Sequence, residues 1–381
     1  MNALNRYFSL HRLLAIIVKE FIQMRRDKLT FAMMVGIPLL QLTLFGYAIN
    51  SDPKHLPAVV VAHEQSEFTR SIVAALRNTD YLDIRSATVS ERDASEMLAR
   101  GEVQFVLTIP PDFSRRLIRG ERAQLLLEAD ATDPSATGNA IAALQQISGS
   151  LLRHDLRGPL AARQTAEAPF ELVIHRRYNP DALASYNVIP GLVGVILTMT
   201  MIMSTALGLT REVERGTMEN LLATPVRPLE VMIGKIMPYV IVGLVSMAFV
   251  LTAARWLFHV PFIGSLPLLC AVILLFIAAN LVVGITVSSL ARNQMQALQM
   301  TFFFFLPSIL LSGFMFPFRG MPVWAQWIGE ALPLTHFMRI TRGVMLKGNG
   351  LAEIWPDLWP LLLFMLVMMA LGLGRFRRTL D

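Results

Sequence analysis

Hydrophobic and polar positions along this chain are organised at two scales. At the coarse scale, apolar runs long enough to cross a bilayer recur over residues 29–49, 183–209, 231–257, 266–290, 298–316 and 358–373, and they predict about six transmembrane helices. Residues 50–182, between the first two runs, are polar with mixed charge signs and hold no run of that length. Here the finer pattern alternates. Residues 57–62, 81–87, 103–109 and 123–129 read as strands rich in Val, Ile or Leu. Residues 66–78, 90–100 and 112–119 read as helices between them, with Ser90 and Asp93 at capping-box-like spacing. A longer helix over 134–156 and a last strand over 170–175 complete an α/β domain with a mostly sequential sheet, inserted between spans.

The flanks carry their own patterns. Leu10, Leu13, Leu14, Ile17, Phe21 and Ile22 share one helical face while Arg12, Lys19, Glu20, Gln23 and Arg26 share the other. Residues 1–28 are therefore expected to form an amphipathic helix lying in the membrane plane. The first apolar run lacks a small-residue cleavage site and reads as a retained anchor. Arg25, Arg26 and Lys28 before it predict a cytoplasmic amino terminus and an extracytoplasmic 50–182. Basic residues also mark 210–230, the turn at Arg292 and the tail 375–381, although Arg319, Arg339 and Lys347 weaken the contrast. Within 231–374, expected to hold the remaining four spans, residues 317–350 are broken by prolines and charges yet too apolar for a free loop. Two half-helices dipping into the outer leaflet fit this stretch, with Phe314, Pro317, Pro322, Pro333 and Arg342 as candidate re-entrant or gate residues.

Composition narrows the class. At 54% hydrophobic and 16% charged, the chain is too apolar for a soluble protein and is expected to be an integral membrane protein. Its formal charge of +6 fits positive-inside topology; no zinc-ligand spacing or aromatic–basic pattern points to nucleic acid. The single cysteine, Cys270, allows no intrachain disulfide. There is no phosphate-binding Gly-x-x-x-x-Gly-Lys-Ser/Thr loop, no His-Glu-x-x-His pair and no Gly-x-Ser-x-Gly elbow, so neither an enzyme nor a cofactor is expected in this chain. His63, His154 and His175 read as solvated or locally bonded. No titratable residue falls centrally in a predicted span, which disfavours a proton or sodium relay and leaves the energy for transport to another subunit.

Residues 211–235, REVERGTMENLLATPVRPLEVMIGK, separate two spans with charges that cost ~2.5–3.5 kcal/mol each in hydrocarbon, so they lie outside it. Val213, Met218, Leu221 and Leu222 recur at near-helical spacing before Pro225 and Pro228, which predicts a short amphipathic helix ending at a proline turn within 210–230. The run Arg-Glu-x-Glu-x-Gly-Thr-x-Glu-x-Leu-Leu-x-Thr-Pro-x-x-Pro, followed by Gly234 and Lys235, resembles the cytoplasmic coupling segment of permease subunits of type-2 ATP-binding-cassette exporters. Residues 311–317, Met321-Pro322, residues 332–335, Arg342-Gly343 and residues 346–348 resemble the re-entrant region of those permeases. Residues 109–114 with Gly120, and 130–134, resemble their extracytoplasmic domain.

The resemblance implies an ATPase-coupling site of Arg211, Glu212, Glu214, Arg215, Gly216, Thr217, Glu219, Pro225, Pro228 and Lys235. Its charges would contact the ATPase, Gly216 would permit close approach, and the prolines would set the exit angle. It also implies a cytoplasmic ATPase subunit that binds ATP and Mg²⁺, a second permease subunit in a homo- or heterodimer, a periplasmic adaptor and a bacterial inner-membrane location. The expected activity is outward movement of a small amphipathic or drug-like compound. Alternatives are a membrane-anchored sensor or scaffold with an outer binding domain, and a polysaccharide export permease. Met199, Met201, Met203 and residues 302–305 are candidates for cargo contact, and Asn187, Asn280 and Ser312 for interhelical hydrogen bonds.

Overall fold

The computed structural model describes residues 53–86, 89–149, 151–152, 155–156, 169–214 and 228–376. The expected amphipathic helix at 1–28 and first span at 29–49 lie outside the described residues, as do 215–227 of the charged segment and 377–381 of the tail.

The α/β domain takes the alternating order the pattern predicts: β1 (Leu56–Ala62), α1 (Glu67–Arg77), β2 (Leu82–Ser86), α2 (Glu91–Arg100), β3 (Phe105–Ile109), α3 (Phe113–Arg119), β4 (Ala123–Asp130), α4 (Pro134–Ile147) and β5 (Phe170–Arg177). The five strands lie in the order β2-β1-β3-β4-β5, parallel except for the antiparallel β3/β4 pair. Side chains alternate across β1 as the pleat requires. Leu56, Ala58 and Val60 pack with α1, α3 and α4, while Val59 and Val61 pack with Ala94 and Leu98 of α2. Burial on both faces explains why β1 reads as a continuous apolar run. The Ser90 side chain caps α2 through the Asp93 amide, as the spacing predicts. The expected long helix 134–156 is shorter: α4 stops at Ile147, although Leu152 and Leu156 still fill the same core.

Asn179 ties this domain to the start of the helical bundle, donating to the Leu183 carbonyl and accepting from its amide. The bundle consists of α5 (Ala184–Glu214), α6 (Pro228–Trp256), α7 (Leu266–Leu290), α8 (Gln294–Leu311), a 3₁₀ turn at Phe318–Gly320, α9 (Val323–Glu330), α10 (Pro333–Arg342), a π turn at Gly343–Lys347, and α11 (Leu351–Phe376). Among the described residues, α5, α6, α7, α8 and α11 are long and apolar enough to cross a membrane. The span expected at 266–290 matches α7; others have different ends. α5 runs past residue 209 to Glu214, because charged residues are good helix formers once beyond the apolar stretch. α8 starts earlier, where the Asn293 side chain caps it through the Gln296 amide, and ends at Leu311 rather than 316. α11 begins at Leu351, seven residues before the apolar run at 358, and carries Pro356 and Pro360 within it.

The bundle core is built on α5, α7 and α10. The rings of Phe276 and Phe337 stack at 4.0 Å, and Leu334, Phe337 and Met338 are fully buried. Gly191 is required by close approach: a Cβ there would stand 2.6 Å from the Phe314 ring and 2.7 Å from Met338. Three expected interhelical hydrogen bonds take other partners. Asn280 Nδ2 donates to Phe276 and Ser312 Oγ to Ile309, each within or at the end of its own helix, whereas Asn187 reaches the α/β domain. Thr286 instead bridges helices, from α7 to the Met368 carbonyl of α11 at 3.4 Å. Met201 and Phe305 are buried while Phe303 is exposed, so neither the methionine nor the phenylalanine run faces a single environment throughout.

Candidate functional site

The bundle has two polar ends, and α5 connects them. At the end facing the α/β domain, residues 313–357 supply side chains that would be unpaired in an apolar bundle but are drawn into one network. Arg339 is its hub. Its guanidinium forms a two-pronged pair with Glu330 at 2.5 and 3.1 Å, reaches Asp357 at 3.2 Å, and lies over the Phe318 ring at 4.6 Å. One side chain on α10 thus joins α9, α11 and the 3₁₀ turn. His336 beside it is buried, with Nδ1 2.8 Å from Asp357 and Nε2 2.8 Å from the Glu330 carbonyl. A carbonyl only accepts, so Nε2 carries a proton.

A second set of contacts fastens the α/β domain to this end. Lys347 closes a 2.6 Å ion pair with Asp130, the two side chains 7% and 9% exposed, and also donates to the Leu98 carbonyl. Asn349 donates to the Ala99 carbonyl and Arg319 to that of Gly101. These three donors converge on the carboxyl end of α2, where carbonyls left without intrahelical partners carry the negative end of the helix dipole. Asn187 of α5 donates to Asp133, which also caps α4. Burial lowers the Arg319 guanidinium to about 10, with the Arg339 and Arg85 charges adding to the effect. Between the domain and the short helices lies a cavity of about 490 Å³ lined by these groups.

At the other end, α5 finishes with Arg211, Glu212 and Glu214. Arg211 and Glu214 are exposed, and Glu214 accepts a 2.7 Å hydrogen bond from Gln294 at the start of α8. Nearby, Gly208 lets the Tyr239 hydroxyl of α6 lie against the α5 backbone.

A family model described as ABC-2 family transporter protein matches residues 28–373, which includes both the α/β domain and the bundle. The chain belongs to that family. A probable multidrug ABC transporter permease, YbhR, of Escherichia coli strain K12 is 29% identical over 368 residues, covering 97% of this chain and 99% of the relative. YbhS of the same strain, with the same description, is 31% identical over 91% of each chain. The inner membrane transport permease YhhJ of that strain is 29% identical over 85% of this chain and 86% of its own. This chain is accordingly a membrane-embedded permease subunit of an ABC exporter.

In this permease the residues singled out from sequence fall at both ends. Of the coupling set, Arg211, Glu212 and Glu214 continue α5 to its described end, Pro228 opens α6, and Lys235 lies within α6. Arg215, Gly216, Thr217, Glu219 and Pro225 are outside the described residues. Of the re-entrant set, Pro317 precedes the 3₁₀ turn, Pro322 immediately precedes α9 and Pro333 is the first residue of α10, the position where a missing amide is harmless. Phe314 packs on the bundle core, and Arg342 lines the cavity. Sequence reasoning missed both the Glu330–His336–Arg339–Asp357 network and the Lys347–Asp130 pair beside it. The available signal was the density of charge in a stretch too apolar to be a loop.

Proposed function

We propose that the permease subunit sits in the bacterial inner membrane with its α/β domain outside, and that a separate cytoplasmic ATPase, holding ATP and Mg²⁺, docks at the Arg211–Glu214 end. This chain itself is non-catalytic in that reading and pairs with a second permease subunit, and an outer adaptor would meet the α/β domain. The observation that carries the proposal is α5. It is one 31-residue helix, roughly 46 Å long at 1.5 Å per residue, whose first turns bond to Asp133 and whose last turn presents Arg211 and Glu214. A displacement at one end is delivered to the other without an intervening loop. The E. coli relatives described as probable multidrug ABC transporter permeases support a drug-like cargo.

All five tryptophans support the membrane placement. Trp256, Trp324, Trp327, Trp355 and Trp359 are exposed, and all lie at the α/β-domain end of the bundle. Tryptophans gather at the headgroup level of bilayers, which supports a reading with α9 in the interface and the domain just beyond it. The test is co-purification with a candidate ATPase and ATP hydrolysis in lipid, for wild type and for Glu212→Arg with Glu214→Arg. Association and stimulated hydrolysis are expected for wild type, and their loss on charge reversal. An ATPase that binds and is stimulated equally in both would remove the coupling role of this end.

A further inference from the structure

We propose that Arg319 and Arg342 form a binding subsite for the anionic headgroup of a membrane amphiphile. The cavity between the α/β domain and the short helices is lined by several carboxylates, four of which are engaged by nearby side chains. Asp130 is held by Lys347 and Thr132, Asp133 by Asn187 and its own helix cap, and Glu330 and Asp357 by Arg339 and His336. The cations divide differently. Arg339 and Lys347 have carboxylate partners, whereas Arg319 and Arg342 form no ion pair among the described residues and donate only to the main-chain carbonyls of Gly101 and Gly313. The buried Nε of Arg342 has no acceptor. A guanidinium offers five donors in a planar fork, so each of these arginines has most of its donors unused by the described protein groups. Carboxylates of the same cavity act on both arginines without touching them, but a shielded cation lacking a direct ion-pair partner is costly, and a bound anion offsets that cost.

The cavity mouth identifies the source of the anion. Pro356, Trp359 and Pro360 of α11 line it, and Trp359 belongs to the tryptophan row that marks headgroup level. Further along the same helix Leu363, Leu366 and Val367 are exposed, an apolar strip where an acyl or aromatic tail can lie while its head enters the cavity. A free inorganic anion would gain nothing from that strip. Cationic and acidic side chains both line the cavity, so local donors rather than a long-range field hold the ligand, and binding is weak enough for a passing molecule. The inference deepens the export reading, on which it rests for the ligand's passage; binding itself is measurable without transport.

The experiment uses the full-length protein in neutral detergent and native mass spectrometry. The probes are dioctanoyl phosphatidylglycerol, the same-chain phosphatidylcholine, and inorganic phosphate. Phosphatidylglycerol is expected to bind at least about tenfold tighter than the other two, and Arg319→Gln and Arg342→Gln are each expected to weaken it by about tenfold, the loss of one charge-assisted contact. Because Arg342→Gln can impair folding, Arg319→Gln on its turn is the deciding variant, with exposed Arg255→Gln as a control that leaves affinity unchanged. Equal binding by wild type and Arg319→Gln overturns the subsite, and equal binding of phosphate or phosphatidylcholine overturns the anionic amphiphile. If phosphatidylglycerol binding passes while no ATPase associates, the export reading fails alone. If the ATPase couples while binding ignores Arg319, the subsite fails alone.

Discussion

The two ends of the bundle use charge in opposite ways. Beneath the α/β domain, Lys347, Asp130 and His336 are buried, Arg339 and Asp357 are partly so, and each is matched to a partner, so their charge has become structure. At the far end, Arg211 and Glu214 stand exposed on the last turn of a long helix, so their charge is available to a partner. A matched, buried ion pair contributes geometry and is costly to break from one side, while an exposed one contributes little to stability. Substitutions at the two ends should therefore separate stability from coupling.

The largest effect is expected at Lys347. Lys347→Ala leaves Asp130 buried without its counter-charge and should destabilise the chain by about 3–5 kcal/mol, read as an earlier thermal unfolding transition in detergent. Lys347→Met with Asp130→Leu removes both charges and should recover most of that loss. If the double variant is as unstable as the single one, the pair holds the domain through directional hydrogen bonds to the Leu98 carbonyl rather than through charge. Arg339→Ala comes next at about 2 kcal/mol, smaller because Glu330, at 43% exposed, can be rehydrated when its partner leaves. Its loss should also loosen α9 and α11 together, visible as faster amide exchange in both. Asn187→Ala removes one 3.2 Å bond between α5 and the domain and should cost about 1 kcal/mol.

Much of this architecture was legible in sequence, for a physical reason. Strands such as Leu56–Ala62 and spans such as Leu266–Leu290 are local patterns, carried by neighbours within one element. Helix ends were less legible. α11 starts before the apolar run because Glu353 and Asp357, which lower its hydropathy, turn to the Gly350 amide and to His336 and Arg339 and cost the helix little. The buried network was not legible at all: Lys347 and Asp130 are 217 positions apart, and no spacing rule connects them. Asp130 and Asp133 did stand out in a family-like word, yet their task, receiving Lys347 and Asn187, emerges only when the domain is seated on the bundle.

The smallest stability effect carries the most functional information. Glu214→Arg should shift unfolding by under about 0.5 kcal/mol, since Glu214 is exposed and gives up a single hydrogen bond to Gln294. Combined with Glu212→Arg, it should abolish ATPase stimulation if this end is the docking surface, whereas Asn187→Ala should leave docking intact while weakening transmission along α5. Measured together, melting and stimulated hydrolysis place each variant on one of two axes. A charge reversal that unfolds the protein as strongly as Lys347→Ala would mean that the exposed end is also built into the fold. The contrast between matched and presented charge would then fail where it matters most, at the Glu214 end of α5.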